Sequence, residues 1–138
     1  NEQGIGLSSY HREINGELKV AQDINILPAG MSKIGLSASD LIITPDGKFL
    51  FAGLRGHSQD FNRISRYRIL KDGRAEFIGL TEADRIPWGL TLSPDGRFLL
   101  VSATAGASLT AYQIPPNGDL KKITSLPWDP KMSDLVAQ

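Results

Sequence analysis

The 138-residue chain is 41% hydrophobic and 22% charged, and 15 basic residues balance 15 acidic ones, so nothing in its overall charge draws it to nucleic acid or an anionic membrane. It has no cysteine, which excludes disulfides and thiolate chemistry. No apolar run approaches the ~18 residues of a membrane span, and Asn1 to Tyr10 has neither the basic nor the apolar region of a secretory signal, so the compartment is undetermined.

In chain order, the first predicted element is a hairpin. Tyr10 to Gly16 reads YHREING, a strand running into an Asn-Gly turn, and Glu17–Ile24 is the returning strand. The next is DLIITPDGKFLFA at 40–52, two apolar runs around a Pro-Asp-Gly turn. Proline presets φ, aspartate caps the turn and glycine accepts positive φ. Tyr67 to Gly73 (YRILKDG) repeats the first pattern, with Ala75–Gly79 returning. GLTLSPDGRFLLV at 89–101 repeats the second, with Pro94 49 residues after Pro45. Tyr112 to Gly118 (YQIPPNG) then repeats the first again, followed by Asp119–Ser125.

Two different hairpins alternating at one period give four strands in ~45–50 residues, the size of a propeller blade. The expected fold is all-β, part of a β-propeller with four-stranded antiparallel blades. The expected division is the outer strands of one blade at 1–27, full blades at 39–79 and 88–125, and an inner strand of a further blade at 133–137, where SDLVA matches SDLII at 39–43. A closed ring needs ~4–8 blades, and open sheet edges aggregate. A second polypeptide carrying the remaining blades, the rest of a cleaved precursor, is therefore expected.

Strand order sorts the connections. The tight Pro-Asp-Gly, Asp-Gly and Asn-Gly turns join strands 1–2 and 3–4 on one face. The longer connections 2–3 and 4–1 gather on the other, where binding groups tend to sit. That second face collects Glu2, the 54–62 loop with Arg55 and His57, residues 104–106, and Lys33, Asp40, Arg85, Trp88 and Asp134 at or near inner strands. Glu2, Arg55 and His57 together offer a base, a fixed cation and a second acid–base group. Asp40, Trp88 and Asp134 are candidate substrate-binding residues. As packing residues instead, the two aspartates would bond neighbouring blades, Trp88 would fill a strand start and His57 would be an exposed loop histidine. Arg66 and Arg68 alternate on one strand and read as a solvated outer edge; His11 reads as outward-facing.

There is no Gly-rich phosphate loop, Gly-x-Ser-x-Gly elbow or His-Glu-x-x-His. Two histidines without cysteine do not make a structural zinc site. No cofactor and no metal are expected, and neither a nucleic acid nor a membrane is expected as partner.

At this level the residues resemble a known family. SDLIITPDGKFLFA at 39–52 with LRGH at 54–57, PWGLTLSPDGR at 87–97, and Asn1-Glu2 ahead of the first strand are similar to the seven-bladed lactonases, which include bacterial 6-phosphogluconolactonases and fungal carboxymuconate lactonising enzymes. The resemblance covers essentially the whole chain, as the C-terminal two-fifths or so of a propeller, and implies seven blades. It implies that an acidic residue matched by Glu2 and an arginine matched by Arg55 are site groups, with other site residues in earlier blades. The function it implies is hydrolysis of a cyclic ester, a small-molecule lactone, at the channel mouth: Glu2 as general base, Arg55 on the substrate anion or developing oxyanion, and His57 assisting proton transfer or orienting Glu2. The alternatives are another hydrolase or a lactonising reaction on the same scaffold, or a propeller that only binds a ligand or protein.

Overall fold

The computed structural model describes residues 2–27, 29–58 and 60–128. Among these are ten β-strands and no helix: β1 (Gly6–Arg12), β2 (Leu18–Asn25), β3 (Leu36–Ile43), β4 (Phe49–Gly56), β5 (Arg63–Ile69), β6 (Ala75–Glu82), β7 (Pro87–Leu92), β8 (Phe98–Ala103), β9 (Ser108–Gln113) and β10 (Lys121–Pro127). Strands β1 and β2 pair as a hairpin, and β3-β4-β5-β6 and β7-β8-β9-β10 form two sheets in sequence order. Every pairing is antiparallel. Consecutive four-stranded meanders stacked face to face are blades, and the chain is part of a β-propeller. The expected inner strand at 133–137, with Asp134, lies outside the described residues, as does Asn1.

The two 1–2 turns are the same device. Thr44 Oγ1 donates to Asp46 Oδ1 at 2.7 Å and accepts from the Phe49 amide at 3.0 Å, while the Lys48 amide also reaches Asp46 Oδ1 at 3.1 Å. Ser93, Asp95, Arg97 and Phe98 repeat all three bonds at 2.6, 3.0 and 3.0 Å. Glycine is required at the turn because Gly47 and Gly96 have φ of 68° and 67°. The Thr44 and Ser93 hydroxyls, followed by the Lys48 and Arg97 amides, hold both aspartates down to about 2.

Both inner strands carry a bulge at the same place. Ala38 pairs with Leu54 but Leu41 with Ala52, and Pro87 pairs with Ala103 but Leu90 with Val101, so each inner strand holds one extra residue. The bulge inverts the side-chain alternation: Leu36 and Ala38 pack toward the first hairpin, whereas Ile42 packs toward the next blade. A period-2 pattern read back from residue 43 therefore breaks at 39–40, which explains why β3 starts at Leu36 rather than at 39.

The core is two apolar layers between blades. Leu50, Ala52 and Leu54 of β4 face Ile5, Ile26 and Leu27 beside the first hairpin, and Tyr67 closes that layer. Phe49 and Phe51, on the other face of β4, meet Leu90, Leu99, Val101 and Tyr112 of the next blade. Both tyrosines are fully buried. Burial pushes the Tyr67 phenol up to about 12, whereas Tyr112 donates to the Glu82 carbonyl at 3.0 Å.

Arg66 departs from the solvated-edge expectation. Strand β5 is the third of four in its sheet, and Arg66 is buried, bonding Asp119 Oδ1 at 2.7 Å and the Gly118 carbonyl at 3.2 Å in the next blade. It is an inter-blade tie. Arg68, half exposed, pairs with Glu76 at 3.2 Å on its own sheet. Gly118 itself has φ 76°, and a methyl there would fall within 2.5 Å of the Phe49 ring. Gly118→Ala is expected to destabilise the protein by about 2 kcal/mol through backbone strain and overpacking, measured as a lowered urea midpoint at unchanged slope.

Candidate functional site

Alternation along β4 builds the site. Phe49, Phe51, Gly53 and Arg55 share one face, and the first two are packed against the next blade. Arg55, at the end of this stripe, is carried over the Trp88 indole of β7, with Cζ 4.3 Å from the ring centroid. The bulge at Trp88-Gly89 places this residue at the seam between inner strands β3 and β7.

The guanidinium is held on several sides. Its Nη2 donates to Glu2 Oε1 at 2.5 Å and to the Ala38 carbonyl at 2.6 Å. The Arg55 side chain is only 3% exposed, whereas Glu2 is 59% exposed, so the cation is fixed and the carboxylate stays open to solvent. Arg55 Nε is buried with no hydrogen-bond partner among the described residues, a donor whose desolvation costs about 1–3 kcal/mol. Glu2 is anchored through its backbone, since its carbonyl accepts the Ala38 amide at 3.0 Å.

Glu2, Arg55, Asp40 and Trp88 line one cleft of about 270 Å³ together with Ala38, Ser39 and Gly89. Asp40 is also a tie between blades, because Oδ1 accepts the Leu41 amide at 2.8 Å and Oδ2 the Leu90 amide at 3.0 Å. His57 is not brought to Glu2. Its Nε2 lies 2.7 Å from the buried Ser37 Oγ, and it lines a separate cleft of about 410 Å³ with Ser58, Asp60 and Arg85. Two residues beyond Arg55, the chain has left β4, and Gly35 captures the His57 amide at 2.8 Å. Among the described residues no three histidine or acidic side chains group as metal ligands.

Backbone strain collects on this same face. Ile5, Ile86 and Ala107 have φ of 49°, 59° and 47°, a region costly for β-branched side chains. All three sit in 2–3 or 4–1 connections, whereas the tight turns opposite use glycine. Asn62 holds one of them, its Oδ1 accepting the Ile86 amide at 2.9 Å and the Gly56 amide at 3.2 Å. The sequence places Asn62 on this face as the end of the 54–62 loop, but Ser37 and the Ala38 carbonyl are not visible from sequence as site-supporting groups, because each acts through a contact made only on folding.

A larger cleft of about 530 Å³ lies farther along the seam, beside Asp84, Arg63, Arg85 and Ser108. Asp84 Oδ2 accepts from Ser108 and Thr110 at 2.7 Å each and from Ser125 at 3.0 Å, while Lys122 reaches Oδ1 at 3.1 Å. Burial opposes its ionisation, but these donors prevail and hold the carboxyl far below the usual carboxylate range. A carboxylate so fully engaged is a structural knot rather than a proton acceptor.

Comparison with known proteins matches residues 2–132 to the family described as "Lactonase, 7-bladed beta-propeller". The chain is 30% identical over 126 residues to a 6-phosphogluconolactonase of Pectobacterium carotovorum subsp. carotovorum (strain PC1), covering 89% of this chain and 36% of that protein. It is 31% identical over 97 residues to one from Sodalis glossinidius (strain morsitans), covering 70% and 28%. Among solved structures, the periplasmic gluconolactonase PpgL of Pseudomonas aeruginosa superposes with a TM-score of 0.82 at 26% identity, over 93% of this chain and 35% of that one. The chain thus spans about a third of the length of these relatives.

Proposed function

Because the chain belongs to the seven-bladed β-propeller lactonase family, we propose that it supplies one wall of a site that opens a lactone of a sugar acid by hydrolysis. The observation that carries this reading is the Glu2–Arg55 pair over Trp88, a fixed cation and a solvent-open carboxylate sharing one cleft. The names of the relatives, 6-phosphogluconolactonase and gluconolactonase, support the substrate class.

Water attacks the lactone carbonyl carbon as Glu2 takes its proton. The carbonyl oxygen becomes an oxyanion beside the Arg55 guanidinium, whose fixed positive charge stabilises it. The bond from this carbon to the ring oxygen then breaks, and Glu2 returns the proton to the departing oxygen, giving the open-chain hydroxy acid. The exposed face of Trp88 receives the C–H face of the sugar ring. Asp40 has both oxygens on backbone amides, which leaves it to shape the cleft wall. His57 steadies the end of β3 through Ser37. The role expected of Asp134 is substrate contact from a neighbouring blade.

Glu2→Gln in the assembled protein is expected to lower kcat/KM about 10²-fold, read as acid release from a lactone at constant pH. Near-full activity in this variant would remove Glu2 as base, and ligand binding without turnover in the parent would favour a binding propeller. The relatives are about three times longer, and further blades are needed to close the channel.

A further inference from the structure

Resting on that lactone reading, we infer that Asn62 is a positioning residue for the ring-opening step, holding the Arg55 guanidinium over the Trp88 indole from outside the cleft. The stack joins two blades, with Arg55 near the end of β4 and Trp88 near the start of β7. Asn62 Oδ1 reaches both backbones. It accepts the amide of Gly56, the residue after Arg55, at 3.2 Å, and the amide of Ile86, two residues before Trp88, at 2.9 Å. Both donors are backbone N–H groups, so the atom between them is the side-chain oxygen, whose two lone pairs serve the two bonds.

Each bond supplies what the strands do not. The β4–β5 register ends at Leu54↔Arg63, so Gly56 lies past the ladder and takes the Asn62 side chain as its acceptor. Ile86 sits at φ 59°, a conformation that persists only where its surroundings hold it. Asn62 takes its amide, and the Thr104 amide donates to its carbonyl at 3.0 Å. Pro87 comes next, fully buried and with φ fixed by its ring, so the setting of Ile86 passes to Trp88 through one rigid residue. Asn62 cannot drift: it is 3% exposed, and its own carbonyl accepts the Ala83 amide at 3.1 Å and Arg63 Nη1 at 2.8 Å. It does not line the cleft shared by Glu2, Arg55 and Trp88. Its effect on the reaction therefore runs through the two segments that it joins.

The test uses the assembled protein and an aldonic acid δ-lactone. Asn62→Ala is expected to lower kcat/KM about tenfold or more, mostly in kcat, because small displacements of a reacting group are costly. Asn62→Asp keeps an oxygen for both amides and should recover most of that loss. In an Arg55→Ala background, Asn62→Ala should cost about twofold or less, since the group that it positions is gone. The emission lost on Trp88→Phe isolates that indole, and Asn62→Ala should make it more readily quenched by acrylamide as the guanidinium leaves its face. Gly118→Ala, on the opposite face, should change neither kcat nor this quenching, which separates positioning from a general loss of stability. Parent-like turnover in Asn62→Ala, an equal cost with and without Arg55, or no recovery in Asn62→Asp would each overturn the inference and leave lactone opening intact. If the parent opens no lactone, the hydrolase reading falls instead, and an unchanged Trp88 quenching in Asn62→Ala would then refute the staple itself.

Discussion

Replacing Arg55 by alanine in the assembled protein is expected to lower kcat/KM for lactone opening by about 10²–10³-fold, the cost of removing one preorganised oxyanion donor. The size follows from preorganisation. The guanidinium is already desolvated, bonded to Glu2 and the Ala38 carbonyl, and stacked on Trp88, so little remains to be rearranged when charge develops on the substrate. Arg55→Lys keeps the charge but not the planar fork or the stack, and is expected to recover at most about tenfold of the loss. Steady-state acid release for both variants checks this, alongside urea unfolding to confirm that each is folded. Trp88→Ala should act on the same geometry from below, raising KM a few fold and lowering kcat as the arginine loses its platform. Full activity in Arg55→Ala would move the oxyanion site to another blade.

The repeat was legible because its causes are local. Thr44 and Ser93 each stand two residues before a turn aspartate and five before the amide they cap, so sequence spacing carries the whole device. The face shared by Glu2, Arg55 and Trp88 followed from the same phase, since connections 2–3 and 4–1 must emerge on one side. What sequence could not carry is whatever depends on the next blade. Arg66 alternates with Arg68 like a solvent-facing pair, yet the bulge between Arg66 and Tyr67 and the arrival of Asp119, 53 residues on, bury it. His57 stands two residues from Arg55, but leaving β4 directs it to Ser37. The bulges at 39–40 and 88–89 alter which face a residue occupies without changing its type. Fold and face are thus written in short-range spacing, and the pairing within the cleft in inter-blade contacts.

Asp84→Ala is expected to destabilise the assembled protein by about 3 kcal/mol, a large effect for one partly exposed side chain, because hydrogen bonds to a charged group are each worth about 1.5–3 kcal/mol and do not add fully. Four donors from β9 and β10 converge on it: Ser108, Thr110, Ser125 and Lys122. Its removal leaves the Thr110 hydroxyl, 1% exposed, with Ser125 as its remaining hydrogen-bond partner among the described residues. The pH dependence gives the prediction its sign. In the folded protein the carboxyl stays ionised to far lower pH than in the unfolded chain. Its contribution is therefore whole above about pH 4, near the unfolded value, and drains away as pH falls toward the folded value. Asp84→Asn keeps the shape without the ionisation, so its stability deficit against the parent should shrink below about pH 4. Equal deficits at pH 7 and pH 3 would mean that the knot works by shape alone. The consequence reaches the cleft, because Asp84 lies two residues before the strained Ile86 and four before Trp88. An untied connector would let Ile86 relax from its positive φ and carry Trp88 away from Arg55. Asp84→Ala should consequently raise KM a few fold at temperatures where the protein is still fully folded, whereas Gly118→Ala, which perturbs the opposite face, should leave KM unchanged.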